Sequence, residues 1–331
     1  MKVAIDGFGP QGRSVFRLLQ ERPGLQLVAI RDEADPETLA LLARRDSVRG
    51  LLPGGCELED GRLVTAAGAV RLLPARGPQS PDWGALGVEA VVQAAPAGPC
   101  RAAAASQLAQ GARYVVLVGP ARREPAVVIL RGVGGRVPLP HERVLTAGSG
   151  PANGLAVLAL ALDGAFGLEH AQMTVTGPSG ADQCVVDVAH GDPRRGRAAG
   201  FSLVPTASGA AREAMMALPH LAGRLAAIAL RAPVVAGTAL DLTATLRTDV
   251  DAGAVNRALR EAAAGLPGVL GIAEDPLVSA DATGATWSAL FDPGCTRTAG
   301  DRSVGVLAWC DADWAGAARA CDLLERLAPG A

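Results

Sequence analysis

Gly7, Gly9 and Gly12 stand in the spacing Gly-x-Gly-x-x-Gly, and an acid, Asp32, closes the next apolar run. That combination can hold a dinucleotide. Glycines let the main chain of Gly7-Phe8-Gly9-Pro10-Gln11-Gly12 approach a pyrophosphate. The N-terminus of the helix that follows favours the anion, and a carboxylate about 20 residues further on accepts from a ribose hydroxyl. A carboxylate also repels a 2′-phosphate, so Asp32 favours NAD over NADP, while Arg31 beside it pulls the other way. The expected cofactor contacts are Gly7, Phe8, Gly9, Gln11, Gly12 and Asp32. Pro10 subtracts one backbone donor from the turn, although proline also suits the first position of a helix. Asp6 places a second carboxylate next to the turn, which is expected to weaken the binding of an anion.

The elements around the turn follow from apolar spacing. Lys2–Asp6 and Leu25–Ile30 read as strands. Between them Arg13–Glu21 is helical, with Val15, Phe16, Leu18 and Leu19 on one side. Further on, 36–45 and 101–110 read as helices. Short strands are expected at 90–94, 114–118 and 126–130, with a strand pair around Gly68. Helices alternating with buried strands imply a parallel, doubly wound sheet. Val144–Thr146 is a strand leading into a helix, where Ser149 or Gly150 is placed to cap and Pro151 lies in the first turn. Beyond it, strands at 241–246, 269–272, 287–291 and 304–309, with helices at 252–264 and 313–327, suit a mixed or antiparallel sheet.

The 331 residues are enough for two domains with full cores. Hydrophobic content of 49% and charged content of 19% fit a soluble globular chain. A net charge of −2 gives no attraction to nucleic acid or to an anionic membrane. The apolar helix around Leu155–Leu162 is too short to span a bilayer, and a cytoplasmic location is expected. The six cysteines include no Cys-x-x-Cys pair, so reduced thiols are expected rather than a metal site or a disulfide framework.

In order along the chain, the residues resemble the phosphorylating glyceraldehyde-3-phosphate dehydrogenase family. The opening Val3–Arg13 is similar to that family's V-x-I-N-G-F-G-R-I-G-R, and Arg45–Gly50 to Y-D-S-V-H-G. Met173–Gln183 resembles M-T-T-V-H-A-Y-T-N-D-Q, Leu203–Arg212 resembles I-I-P-x-x-T-G-A-A-K, and Trp309–Trp314 resembles W-Y-D-N-E-W. The resemblance covers nearly the whole chain. It implies a Rossmann α/β domain over 1–148, completed by the C-terminal helix 315–331, and an α+β catalytic-type domain over 149–314. It also implies a homo-oligomer, dimer or tetramer, built through the long loop 179–201.

The resemblance implies a thiolate that attacks an aldehyde and a histidine that activates it. Where the family has its cysteine this chain has Gly150, and where it has the histidine, Gly177. The nicotinamide-side residues are Ala95 and Ala312, which together with Pro10 are expected to weaken NAD. Arg231 and Asp182 match the family's substrate-phosphate site. Ser149, Ser208, Gly209 and Arg195 match its inorganic-phosphate site, so a small phosphorylated ligand is an expectation. Ser149 and Ser179 are hydroxyls near the altered positions with no evident base in the sequence, and Cys184 is a nearby thiol. The expectation is a pseudoenzyme that binds a nucleotide, a phosphorylated metabolite or a protein partner. Two alternatives stay open: an enzyme repurposed to non-covalent chemistry in the same cleft, and a non-catalytic subunit assembled with an active paralogue.

Overall fold

A computed structural model describes residues 1–75, 81–94, 101–119, 126–180 and 183–328. The chain divides into two compact units. The first comprises 1–131, 136–148 and 316–331, and the second 132–135 and 149–315.

In the first unit the elements run β1 (Lys2–Asp6), α1 (Pro10–Leu19), β2 (Gln26–Asp32), α2 (Pro36–Arg44), the small ribbon β3 (Arg45–Asp46) and β4 (Gly50–Leu51), then β5 (Glu57–Glu59), β6 (Arg62–Thr65), β7 (Gly68–Pro74), β8 (Ala90–Gln93), α3 (Arg101–Ala109), β9 (Tyr114–Leu117), β10 (Val127–Val128) and β11 (Val144–Thr146). The sheet order is β10-β11-β9-β8-β1-β2-β7-β6-β5. Pairing is parallel from β10 across to β7, as the alternation of helices and strands predicts; β7-β6-β5 adds an antiparallel edge. From β1 the chain first builds outward through β2 and β7, then returns to build outward through β8 and β9. The order therefore reverses between β1 and β8, where an open α/β sheet leaves a crevice at its strand ends. The glycine turn leaves the end of β1 at that point. Beneath it, Ala4, Ala29, Trp83, Val88, Val91 and Ala112 form one buried cluster.

In the second unit α4 (Gly150–Phe166) is followed by β12 (Leu168–Pro178), β13 (Val204–Ala207), α5 (Ala210–Ala217), β14 (Leu225–Ala232), β15 (Thr238–Leu246), α6 (Ala252–Ala264), β16 (Leu270–Ile272), β17 (Ala289–Ala299), β18 (Ser303–Cys310) and α7 (Ala312–Leu327), whose residues from Gly316 on belong to the first unit. The seven strands are ordered β13-β14-β12-β15-β18-β17-β16. Pairings are antiparallel except β12 with β14 and β16 with β17, so the sheet is mixed. α4 is apolar almost all round and buries Leu155, Leu158 and Leu162 completely. A helix of that character has to be surrounded, and α5, α6 and the sheet surround it. The strand expected at 287–291 begins two residues later and runs on to Ala299.

Candidate functional site

The glycine turn is built from close backbone approach. Gly7 has a φ of +98°, which a side chain rarely tolerates. A Cβ on Gly12 would lie 2.1 Å from the Gly7 carbonyl oxygen, so only glycine fits there. Gly9 is the N-cap of α1 and Pro10 its first residue; the proline therefore starts the helix at no cost to it. A Cβ on Gly9 would meet nothing within 4 Å, which leaves main chain open to a ligand. The Asp32 carboxylate accepts the Phe8 N–H at 2.6 Å and the Ala34 N–H at 3.0 Å, which fixes it at the end of β2 beside the turn.

Asp6 behaves differently from the expectation. Its carboxylate is 7% exposed and turned into the unit, not toward a ligand. Arg31 Nη1 donates to Oδ1 at 3.0 Å and Gln107 Nε2 to Oδ2, while Trp83 Nε1 donates to Gln107 Oε1. Burial pushes the Asp6 carboxyl above its ordinary range, and the Arg31 guanidinium works against that shift. The same pair engages Arg31. Asp6 thus adds no bare charge to the turn, and Arg31 is held on Asp6 rather than left for a 2′-phosphate. Both corrections have one cause, a buried ion pair that the sequence does not reveal.

The start of α4 is the second feature. Ser149 occupies the N-cap position, but its hydroxyl makes no capping bond to the helix. Instead both the Ser149 hydroxyl and the Ser149 N–H donate to Glu213 Oε2, each at 2.8 Å. Glu213 lies on α5 and is 2% exposed. The expectation of a capping hydroxyl without a nearby base is therefore corrected. Glu213 was legible only as a carboxylate spaced with Ala210 and Ala214 on the buried face of α5.

At Gly150 the space for a side chain is closed. A Cβ there would lie 2.4 Å from the Ala312 carbonyl oxygen and 2.8 Å from Ala312 Cα. At Gly177, on the buried face of β12, a Cβ would lie 2.7 Å from Thr238 Oγ1. All four histidines, His141, His170, His190 and His220, are exposed.

The other anticipated residues that the structure describes also lie in the second unit. Arg231 sits beside Gly177 in the β12–β14 register, and its Nη1 donates to the Pro178 carbonyl at 3.1 Å. Ser208 Oγ accepts from the Ala210 N–H at 3.3 Å, and Gly209 is the N-cap of α5. Arg195 pairs with Asp192 at 3.6 Å inside the long loop. Asp182 and Ala95 lie outside the described residues. Burial raises the thiols of Cys56, Cys295 and Cys310 and pushes Cys321 up to about 12, so none of these four is poised as a thiolate. Among the described residues five cysteines are free, and no group of His, Cys, Asp and Glu is arranged to hold a metal.

Two family profiles account for most of the chain. "Glyceraldehyde 3-phosphate dehydrogenase, NAD binding domain" matches residues 1–99, and "Glyceraldehyde 3-phosphate dehydrogenase, C-terminal domain" matches residues 149–312. Among individual relatives, glyceraldehyde-3-phosphate dehydrogenase 2 of Streptomyces arenae is 37% identical over 325 residues, covering 98% of this chain and 97% of the relative. The chain belongs to the glyceraldehyde-3-phosphate dehydrogenase family. The enzyme of that name from Kitasatospora aureofaciens is 38% identical over 330 residues, covering 99% of each chain. That from Geobacillus stearothermophilus is 35% identical over 329 residues, covering 99% of this chain and 98% of the relative.

Membership makes NAD the candidate cofactor, and the first unit fits its adenosine half. The open main chain at Gly9, the close-packed Gly7–Gly12 turn and the oriented Asp32 carboxylate are the required parts. Among the described residues no helix is long and apolar enough to cross a membrane.

Proposed function

We propose that this member of the glyceraldehyde-3-phosphate dehydrogenase family is a pseudoenzyme: it binds a nucleotide of the NAD type but does not carry out phosphorylating oxidation of an aldehyde. The observation that carries this reading is Gly150. The position that the family resemblance assigns to the attacking thiol has no side chain, and the Ala312 main chain lies where one would begin. The position assigned to the activating imidazole is Gly177, also closed, by Thr238. A covalent mechanism that lacks its nucleophile and base loses on the order of 10⁶ in rate. The hydroxyl of the adjacent residue, Ser149, is held by Glu213.

The nucleotide part of the reading rests on the glycine turn and Asp32. The Gly7–Gly12 main chain would hold the pyrophosphate and Asp32 the adenosine ribose. Arg31 is committed to Asp6, so NAD is preferred to NADP. NAD supplies a hydride acceptor when bound; this chain's contribution is to bind and orient it. We also propose a homo-oligomer joined through the loop 179–201, where Val185 is 84% and Phe201 93% exposed, an apolar surface that a second copy would cover. Its free thiols suit a reducing, cytoplasmic compartment.

Two assays test the proposal. Purified protein given glyceraldehyde 3-phosphate, NAD and phosphate is expected to form no NADH above background; turnover in the ordinary enzymatic range of about 1–10³ s⁻¹ would overturn the reading. Calorimetric titration is expected to show NAD binding that Asp32→Ala weakens about tenfold, the loss of one charge-assisted hydrogen bond. No NAD binding would leave the glycine turn as architecture only. For the assembly, Phe201→Asp is expected to shift the sedimentation profile toward smaller species, and an unchanged profile would remove the loop from the interface.

A further inference from the structure

The N-terminus of α4 carries a partial positive charge, roughly half an elementary unit, on N–H groups that have no partner within the helix. Pro151 contributes none of them, so the donors nearest the entry matter more. Ser149 supplies two, its amide and its hydroxyl, and both converge on one oxygen, Glu213 Oε2, at 2.8 Å each. Glu213 comes from the neighbouring helix α5, and the residue is 2% exposed. A carboxylate removed from water in this way needs compensation. The two donors and the end of the α4 dipole contribute to it.

We infer that Glu213 is an anion built into the fold, which fills the entrance of α4 so that this protein takes no inorganic phosphate or other free oxyanion there. A phosphate oxygen would need the two donors that Glu213 already holds and would have to sit against a buried negative charge. Ser208 and Gly209, at the start of α5, face the same exclusion because Glu213 stands one turn further along their own helix. An oxyanion approaching the start of α4 therefore meets a carboxylate that already holds both Ser149 donors. The inference goes beyond the missing thiol. Even a chain with a working nucleophile at residue 150 would lack an acceptor site for the phosphate of a phosphorylating reaction. It also holds independently of whether the first unit binds NAD.

The test is unfolding of the purified protein in phosphate and in chloride of equal ionic strength. Wild type is expected to gain in phosphate only the general salting-out stabilisation, which the variants share. Glu213→Ala removes the internal anion and is expected to gain about tenfold in its folding equilibrium constant at a phosphate concentration about ten times its dissociation constant. Glu213→Gln keeps the shape and the acceptor oxygen but drops the charge, and is expected to gain a few-fold; it carries the test if the alanine variant fails to fold. Adding Ser149→Ala to either variant is expected to cancel the gain. Phosphate stabilising wild type as strongly as the variants would overturn the inference. So would the absence of any phosphate-specific gain in both.

Discussion

Installing both residues that the family uses, by Gly150→Cys together with Gly177→His, is expected to recover none of the roughly 10⁶-fold that such a pair contributes and to lower stability. The obstacle at residue 150 is main chain: the new Cβ would begin 2.4 Å from the Ala312 oxygen and 2.8 Å from its Cα. A carbonyl cannot rotate aside as a side chain can. The segment behind it is braced, because Asp311, itself 4% exposed, accepts the Gly284 N–H at 2.9 Å and the Trp314 N–H at 3.1 Å. At residue 177 the obstacle is the side chain of Thr238, 2% exposed, whose hydroxyl would lie 2.7 Å and whose methyl 3.2 Å from the new Cβ. Overpacking costs about 1–3 kcal/mol at each site, and the two add if the sites do not share a neighbour. The double variant is thus expected to lose about 2–6 kcal/mol, most of it at residue 150, against a total of about 5–15 kcal/mol for a typical fold. Denaturant midpoints of the single and double variants, with a glyceraldehyde 3-phosphate oxidation assay on each, give the result. Restored turnover would mean that Ala312 yields easily and that the chain is two substitutions from an active enzyme.

How much of this could be read from the residues depends on how far apart the interacting groups are in the chain. The glycine turn, the helix after it and the acid ending β2 lie within one βαβ unit, so spacing predicts them, although the helix runs over Pro10–Leu19 and not the expected Arg13–Glu21 because the proline at its first position starts it earlier. The reversal of strand order between β1 and β8 follows from alternating helices and strands. The charged groups were different. Asp6 and Gln107 are 101 residues apart, and their contact decides whether the Asp6 charge faces a ligand or the core. Ser149 and Glu213 are separated by 64 residues. The N-cap position of Ser149 is local and predictable, whereas the direction of its hydroxyl is set by α5. The closure at Gly150 is of the same kind: glycine is visible in the sequence, but the Ala312 carbonyl against it is a tertiary fact. Periodicity shows which face of a helix is buried, and it leaves open which buried carboxylate meets which donor.

The C-terminal helix shows what such a buried carboxylate is worth when its partners are all charged. Asp322→Ala is expected to destabilise the first unit by about 3–5 kcal/mol, the cost of breaking a buried ion pair by removing one partner. Asp322 is 4% exposed and receives three arginines: Arg22 Nη1 at 2.8 Å, Arg131 Nη1 at 2.9 Å and Arg319 Nε at 2.9 Å. Without it Arg22 retains Glu325, at 2.7 Å and close to solvent. Arg131 is part-exposed and can turn to water. Arg319 cannot, because its side chain is 3% exposed. Burial already draws the Arg319 guanidinium below its ordinary range, and Asp322 is the main opposing influence. Arg319 is thus the partner least able to turn to water, and a cycle tests its share of the loss. Arg319→Leu in the Asp322→Ala background is expected to recover part of the loss, because a buried cation is gone and an apolar side chain takes its place. Asp322→Asn, which keeps an acceptor oxygen, is expected to lose less than alanine does. Urea unfolding of wild type, these three variants and Arg319→Leu alone closes the cycle and measures all three quantities. A loss below about 1 kcal/mol for Asp322→Ala would mean that water reaches Arg319 and that the helix is held by its apolar face alone.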